Sequence, residues 1–246
     1  MKYLAIASLV IITQFSYAQG LKGLLKKATG NDSAVNKTID KMGGTQLSNE
    51  DIICGLKEAL KVGTENSTQK LSSVDGFFKD AAIKVLMPDE AKKVEDKLRS
   101  VGLGSQVDAA ILSMNRAAED ACKSASPIFL NALKQMTFAD AVGILRGGDF
   151  AATNYVKEKT ISSLTTAFRP IIENSIDKVD ATKHWATIIT AYNKIPFVNK
   201  INPDLAAYVT EKALFGIFYQ ISLEEQTIRK NPIARTSDIL KKVFSN

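Results

Sequence analysis

The side chains best suited to chemistry in this sequence lie one helical turn apart on a predicted helix. Asn115 and Glu119 are separated by four residues, as are Arg116 and Asp120, so one helix face can present an amide, a guanidinium and a carboxylate together. A carboxylate can act as a general acid or base, and a guanidinium can hold an anionic substrate. The same spacing is also typical of a surface network of paired side chains, and spacing alone favours that network.

Other candidate binding residues lie at predicted helix ends. Asp140 is expected to cap a helix start, and Arg146 and Asp149 flank a Gly-Gly pair. The Gly pair predicts a left-handed helix stop followed by Asp149 as the N-cap of the next helix, in a turn whose free N–H groups can bind an anion. Arg229 and Arg235 belong to a charged turn, where two guanidinium groups can clamp a carboxylate or phosphate. The same two arginines are also explained as side chains that cap and stabilise a junction between two helices.

The scarcity of histidine and cysteine excludes several kinds of site. The 246 residues include one His, His184, and two Cys, Cys54 and Cys122. This excludes metal sites that need two imidazoles and zinc sites built from cysteine alone, and we expect no metal and no cofactor. No nucleophile motif such as Gly-x-Ser-x-Gly accompanies His184, which is expected to be a capped, partly buried side chain. Cys54 and Cys122 lie on apolar helix faces, so a disulfide and two free thiols both stay open.

The N-terminus predicts export. A basic start is followed by the apolar stretch 4–12 and by small residues at Ser16 and Ala18, the pattern of a secretory signal peptide cleaved after Ala18. The stretch has about half of the roughly 20 residues that span a bilayer, and no later stretch is long enough, so the mature chain is predicted to have no transmembrane segment. Export disfavours reactions that need cytosolic ATP or nicotinamide cofactors.

The charge pattern argues against nucleic acid as a partner. A net charge of +6 and a pI near 9.1 are mild, and basic residues alternate with acidic ones, as in 92–97. One local cluster, Leu21 to Lys27, can lie on an anionic membrane surface, although a frayed mature N-terminus is the simpler interpretation. The polar segment 19–46 is expected to be flexible.

Helical periodicity dominates the rest of the chain and predicts an all-α fold. We expect one helical domain over 47–246, a bundle or array of about eight to ten helices. Capping boxes are indicated at Ser48 with Asp51 and at Thr137 with Asp140. Pro170 is expected to kink or break a long helix. Helices are predicted over 52–60, 89–102, 107–125, from 127, 141–145, 149–179, 184–193, 203–229 and 237–244.

Taken together, several short motifs resemble a bacterial exported family called domain of unknown function 4197. The motifs that carry the resemblance are Leu47-Ser48, Gly55 to Leu60, Asp75-Gly76-Phe77, Ser113 to Glu119, Met136-Thr137, Asp140-Ala141, Gly147 to Asp149, Ala151 to Thr153, Lys159-Thr160, Pro170-Ile171, Tyr208 to Thr210, Lys212 to Leu214, Ile228-Arg229 and Lys241 to Phe244. The resemblance runs from about Leu47 to Phe244 and implies an all-helical, signal-bearing protein of the bacterial periplasm or cell envelope. It implies no activity, substrate or catalytic residue.

Three hypotheses about function follow. The first is a non-catalytic binding or scaffolding protein of the envelope, whose partner is a small hydrophobic or anionic ligand or an envelope protein. The second is an enzyme in which Glu119 is acid or base and Arg116 and Arg229 hold an anionic substrate, which requires these residues to converge in one cleft. The third is peripheral binding to anionic lipid through Leu21 to Lys27.

Overall fold

A computed structural model describes residues 48–183, 185–231 and 241 of the chain. His184, Arg235, the segments 1–18 and 19–46 and the predicted helix 237–244 lie outside these residues, apart from position 241. The α-helices are α1 (Asn49–Leu71), α2 (Lys92–Ser100), α3 (Gly104–Cys122), α4 (Ala125–Lys134), α5 (Phe138–Arg146), α6 (Ala151–Ile176), α7 (Asp180–Lys183), α8 (Trp185–Tyr192) and α9 (Leu205–Lys230), and a 3-10 turn (Asp89–Ala91) precedes α2.

The prediction of an all-α fold is confirmed. The described part of the chain contains no strand, and its helices of nine or more residues number seven, slightly fewer than the eight to ten expected. The remaining two, α7 and α8, span four and eight residues. Two of the predicted boundaries were close, since α2 ends at Ser100 and α3 begins at Gly104.

Both predicted capping boxes are present. The Ser48 hydroxyl accepts from the Asp51 N–H at 3.0 Å, and the Asp51 carboxylate accepts from the Ser48 N–H at 3.1 Å. The Thr137 hydroxyl accepts from the Asp140 N–H at 3.2 Å, and the Asp140 carboxylate accepts from the Thr137 N–H at 2.9 Å. Each box satisfies backbone donors that the first helical turn leaves free, so α1 and α5 begin where the sequence indicates.

The core lies between the long helices. Helix α3 packs against α6 and α9, and α1 packs against α9 and α4. Alanines of α3 at 110, 117, 118 and 121 are buried, which lets the neighbouring helices approach closely. The largest fully buried side chains include Phe77, Phe129 and Phe168.

The helix-stop prediction at the Gly-Gly pair was wrong in two respects. Gly147 has φ −75°, so the stop is not left-handed. A Cβ at Gly147 would lie 2.4 Å from the Cβ of Ala151, so close approach of the chain, rather than dihedral freedom, requires glycine there. Asp149 is not the N-cap of α6, because Phe150 holds that position and makes no side-chain cap hydrogen bond.

Helix α6 also continues without a break through Pro170, where the sequence predicted a kink or a break. Among the described residues, no single helix is long and apolar enough to cross a membrane. The helical stretches Gly104–Lys134 and Phe138–Arg146 are long and apolar enough only when taken together, and they are bent by 106° relative to each other.

Candidate functional site

The segment 72–88, which we call the wall loop, connects α1 to the 3-10 turn and turns sharply near its start. Asp75 has a φ of 70°, a left-handed value that is uncommon outside glycine, asparagine and aspartate. At Gly76 a Cβ would lie 2.5 Å from the carbonyl oxygen of Lys70, so no side chain fits. This geometry leaves backbone N–H groups without helical partners, and side chains of α3 bind them.

Glu119 binds the first part of the wall loop. Its Oε1 accepts hydrogen bonds from the N–H groups of Phe77 at 3.1 Å and Phe78 at 3.3 Å. Its Oε2 accepts from Arg116 Nη1 at 2.6 Å. Because the residue is only 3% exposed, both carboxylate oxygens are committed to bonds inside the fold.

Arg116 joins Glu119 to the turn itself. Its Nη2 donates to Asp75 Oδ1 at 2.7 Å, and Lys79 Nζ lies 2.8 Å from the other Asp75 oxygen. Hydrogen bonds from Lys79 and then from Arg116 lower the pKa of the Asp75 carboxyl below its usual value. The side-chain contacts from Glu119 through Arg116 to Asp75 therefore stabilise a turn that the backbone alone does not favour.

Asn115 binds the second part of the wall loop and is fully buried. Its Oδ1 accepts from the Val85 N–H at 2.9 Å, and its Nδ2 donates to the Val85 carbonyl at 2.8 Å and to the Ile111 carbonyl at 2.7 Å. The amide thus pairs with one residue of the loop much as a neighbouring strand would. The trio of Asn115, Arg116 and Glu119 lies together, and its partners are backbone groups and Asp75. The surface network that the spacing favoured was wrong, because Asn115 and Glu119 are buried, Arg116 pairs with Glu119, and Asp120 pairs with Lys123 instead.

The wall loop, which Asn115 and Glu119 hold in place, forms one side of an open groove of about 640 Å³. Its other side is the N-terminal half of α9, and Trp185 and Lys200 lie at its end. The Tyr208 hydroxyl crosses from α9 to the wall loop and donates to the Leu86 carbonyl at 3.0 Å. Burial raises the pKa of Tyr208 to about 12, so this hydroxyl stays protonated.

Apolar and charged side chains share the groove. The apolar ones include Ile83, Leu86, Met87, Trp185, Leu205 and Phe215, and the charged ones are Lys84, Lys200, Lys212, Asp89, Glu90 and Glu211. Two of the ammonium groups lie over aromatic rings, with Lys84 Nζ 4.0 Å from the centre of Phe78 and Lys212 Nζ 5.4 Å from that of Tyr208. The aromatic faces hold these cations near the groove.

Trp185 has an unsatisfied polar atom. The residue is 7% exposed, and no group among the described residues accepts a hydrogen bond from its Nε1. A buried donor without a partner typically costs about 1–3 kcal/mol. Because this nitrogen is shielded from solvent, its missing partner is a cost within the fold and does not by itself mark a ligand contact.

Arg229 belongs to a second cluster, at the junction of α5, α6 and α9. Glu225 accepts from the N–H groups of Ala152 at 3.0 Å and Thr153 at 2.8 Å, and from Arg229 Nε at 2.8 Å. Arg229 Nη2 also donates to the Ile144 carbonyl at 2.9 Å. Glu225 therefore caps the start of α6 in place of Asp149, and a carboxylate there complements the positive end of the helix dipole.

The two clusters contact different parts of α9. The ring of Phe77 lies against Gly216, where a Cβ would be 2.4 Å from Phe77 Cε1, and Glu225 follows nine residues later, or about 13 Å along the helix axis. The structure brings Asn115, Arg116 and Glu119 together in one place and Arg229 in another.

The remaining candidates lie apart. Arg146 and Asp149 are exposed near the second cluster, where the Asp149 carbonyl accepts from the side chain of Gln226. Asp140 lies in its capping box, where the Thr137 N–H lowers the pKa of its carboxyl, and lines a separate groove of about 630 Å³. Arg235 lies outside the described residues.

Both cysteines are free thiols. Cys54 is exposed and Cys122 is buried, and burial raises the pKa of the Cys122 thiol. Among the described residues, no group of three or more His, Cys, Asp or Glu side chains is placed to hold a metal ion.

Several residues that matter to this geometry were not among the sequence candidates. Asp75 was visible only as part of the Asp-Gly-Phe motif, and Glu225 only as the residue four before Arg229. Tyr208 was visible only as part of the motif Tyr208 to Thr210, and Trp185 gave no pattern, because their roles depend on which distant segments meet. Periodicity identifies the faces of a helix and not the loop that covers them.

The comparison with known proteins assigns the chain to a family. The model for "Protein of unknown function (DUF4197)" matches residues 46–245, so the chain belongs to this family. No curated protein matches the chain, and no solved structure does.

Proposed function

We propose that this DUF4197 protein is an exported, non-catalytic binding protein of the bacterial cell envelope. Its ligand site is the groove between the wall loop and α9. One observation carries the proposal: an open groove of about 640 Å³ combines apolar walls with six charged side chains. The volume falls within the roughly 300–1,000 Å³ of small-molecule sites.

The chemistry of the walls favours an amphipathic ligand. Leu86 and Phe215 are 53% and 56% exposed, so a bound alkyl chain would cover apolar surface that water now contacts. Three lysines and three acidic residues suit a headgroup that carries both charges, with its anionic oxygens available to the lysines. We therefore infer a single-chain amphiphile with a zwitterionic headgroup.

The burial of Glu119 argues for binding rather than catalysis. A general acid or base must reach the substrate, and both oxygens of this carboxylate hold other groups of the fold. Asn115 and Glu119 instead position the wall loop, which explains how side chains distant from the groove support it. Export rests on the predicted signal peptide, and sequencing the N-terminus of the secreted chain tests it: a start at Gln19 supports export, and a start at Met1 contradicts it.

Trp185 is the only tryptophan of the chain and lies in the groove, so its fluorescence reports binding. Three probes with the same dodecyl chain, namely dodecylphosphocholine, laurate and dodecylamine, are titrated below their micellar concentrations. We expect a saturable change in Trp185 emission that is tightest for dodecylphosphocholine. The absence of saturable binding by any probe would overturn the proposal, and equal affinity for all three would overturn the zwitterionic headgroup.

A matched pair of variants locates the binding. Phe215→Ala removes an exposed ring from the groove, and Phe150→Ala removes a similarly exposed ring elsewhere. Losing the contact of a buried phenyl group with the alkyl chain weakens binding about tenfold. We expect that loss for Phe215→Ala alone, and equal affinities of the two variants would place binding at another surface.

A further inference from the structure

The loop 194–200, which we call the apolar loop, is held firmly at its base. Asn193, just after α8, uses its side-chain amide to bind the backbone of Ile201 at the other end of the loop. Its Nδ2 donates to the Ile201 carbonyl at 2.7 Å, and its Oδ1 accepts from the Ile201 N–H at 2.8 Å. Because one side chain closes both ends, the loop projects from a fixed base.

The tip of the apolar loop is hydrophobic and faces solvent. Phe197 is 106% exposed, which means that its ring is as accessible as in an extended chain, and Ile195 is 53% exposed. Phe197 also has a φ of 65°. Left-handed backbone is strained for an aromatic residue, and such strain persists where the surroundings or a function require it. In the described structure, no burial of the ring compensates for this strain.

The charged residues of the loop segment itself have one sign. Lys194 and Lys200 flank the apolar residues and are exposed, and residues 185–203 contain these two lysines and no acidic residue. Apolar side chains that enter the acyl boundary, flanked by lysines that reach lipid phosphates, are typical of segments that lie in a membrane interface. An anionic surface attracts each nearby lysine, whereas an uncharged apolar pocket of a protein would gain nothing from the two ammonium groups.

We propose that the apolar loop docks this protein on an anionic lipid bilayer, with Ile195 and Phe197 in the acyl boundary and Lys194 and Lys200 at the phosphates. Lys200 also lines the groove, so docking brings the groove to the membrane surface. The docking surface shares only Lys200 with the proposed ligand site, and it is distinct from the segment Leu21 to Lys27. It uses insertion of side chains alone, without a spanning helix.

Vesicle co-sedimentation of the full chain tests the proposal. The vesicles contain either phosphatidylcholine alone or phosphatidylcholine with one third phosphatidylglycerol. We expect binding to the anionic vesicles, and a loss of about tenfold or more for Phe197→Asn, because the buried ring is removed. Asparagine tolerates left-handed backbone, so this variant keeps the loop conformation. Val74→Asn, at another exposed apolar position, is the matched control and should bind as the unaltered protein does.

The lysines give an independent readout. Lys194→Gln and Lys200→Gln should each weaken binding to anionic vesicles about fivefold, with no effect on the weak binding to neutral vesicles. Lys93→Gln, on exposed α2, serves as the control. All variants retain Leu21 to Lys27, so binding that the loop variants do not reduce would assign attachment to another surface and overturn the proposal.

A third measurement observes insertion itself. In Phe197→Trp, with the emission of the unaltered chain subtracted to remove the contribution of Trp185, we expect emission to shift to shorter wavelength and iodide quenching to fall when anionic vesicles are added. Membrane docking would be overturned if the indole at position 197 stayed accessible to iodide, or if the chain bound neither kind of vesicle. Either result would leave a protein as the partner of the apolar loop. The dodecylphosphocholine titration of Phe197→Asn separates the two proposals, because groove binding should be unchanged in that variant.

Discussion

Replacing Glu119 by glutamine tests whether this carboxylate fastens the wall loop. The glutamine oxygen can still accept from the N–H groups of Phe77 and Phe78, which lie 3.1 and 3.3 Å from Oε1. The new amide NH2 faces the Arg116 guanidinium, which now donates to Oε2 at 2.6 Å, so two donors meet where an ion pair was. One charge-assisted bond is lost and the backbone bonds are kept.

The magnitude follows from that difference. A hydrogen bond to a charged group contributes about 1.5–3 kcal/mol to the free energy of unfolding. Because Arg116 is partly exposed, we expect Glu119→Gln to lower the free energy of unfolding by about 2 kcal/mol. Glu119→Ala also leaves the two backbone N–H groups without an acceptor, which raises the loss to about 4 kcal/mol. For a domain of this size, about 2 kcal/mol corresponds to a fall in Tm of roughly 4–8 °C.

Urea unfolding followed by circular dichroism at 222 nm measures both values. Asp120→Asn is the control, since Asp120 is the adjacent acid on α3 and forms an exposed pair with Lys123 at 2.7 Å. The control should lose less than about 0.5 kcal/mol. If Glu119→Gln matched Asp120→Asn, or unfolded at higher urea than the unaltered chain, the buried carboxylate would not be fastening the loop.

Three further outcomes follow from packing, ionisation and thiol burial. Gly216→Ala places a Cβ 2.4 Å from the buried ring of Phe77 and should lower the free energy of unfolding by about 1–3 kcal/mol. Gly143→Ala meets no atom within 4 Å and should raise the free energy of unfolding by about 0.5–1 kcal/mol. The opposite order of the two variants in urea unfolding would refute the contact between Phe77 and Gly216. Because the pKa of Tyr208 is raised to about 12, its proton stabilises the folded chain below about pH 10 and this stabilisation is lost as pH rises towards about 12. Tyr208→Phe should therefore show a shallower fall of unfolding free energy over that range, and an unchanged slope would contradict the burial of the hydroxyl. Ellman's reagent should modify Cys54 in the folded chain and Cys122 only after denaturation, and fewer than two thiols under denaturing, non-reducing conditions would show a disulfide.

Much of the fold was predictable because local rules decide it. The capping boxes at Ser48 and Thr137 need side chains three residues apart, and the apolar spacing of α3 marks its buried face. The start of α6 was not predictable in this way. Its capping carboxylate is Glu225, which lies more than 70 residues away in sequence, and no local pattern announces such a partner.

The candidate site was half predictable for the same reason. The helix period placed Asn115, Arg116 and Glu119 on one turn, but the structure pairs Arg116 with Glu119 rather than with Asp120. What they contact, a wall loop with a strained turn at Asp75, depends on tertiary packing and could not be read from spacing. The same reasoning applies to Arg229. Its ion pair with Glu225, four residues earlier, is a local contact, whereas its separation from Arg116 depends on how the helices pack.

Photolabelling asks where an amphiphile lies on the folded protein. A dodecylphosphocholine analogue with a diazirine at the end of its chain is irradiated with the full chain, and the labelled peptides are identified by mass spectrometry. The binding site proposed above predicts labels within 82–90 and 205–215, the two sides of the groove, with excess dodecylphosphocholine suppressing them. Labels confined to other residues, or labels that excess ligand does not suppress, would contradict a binding site in the groove.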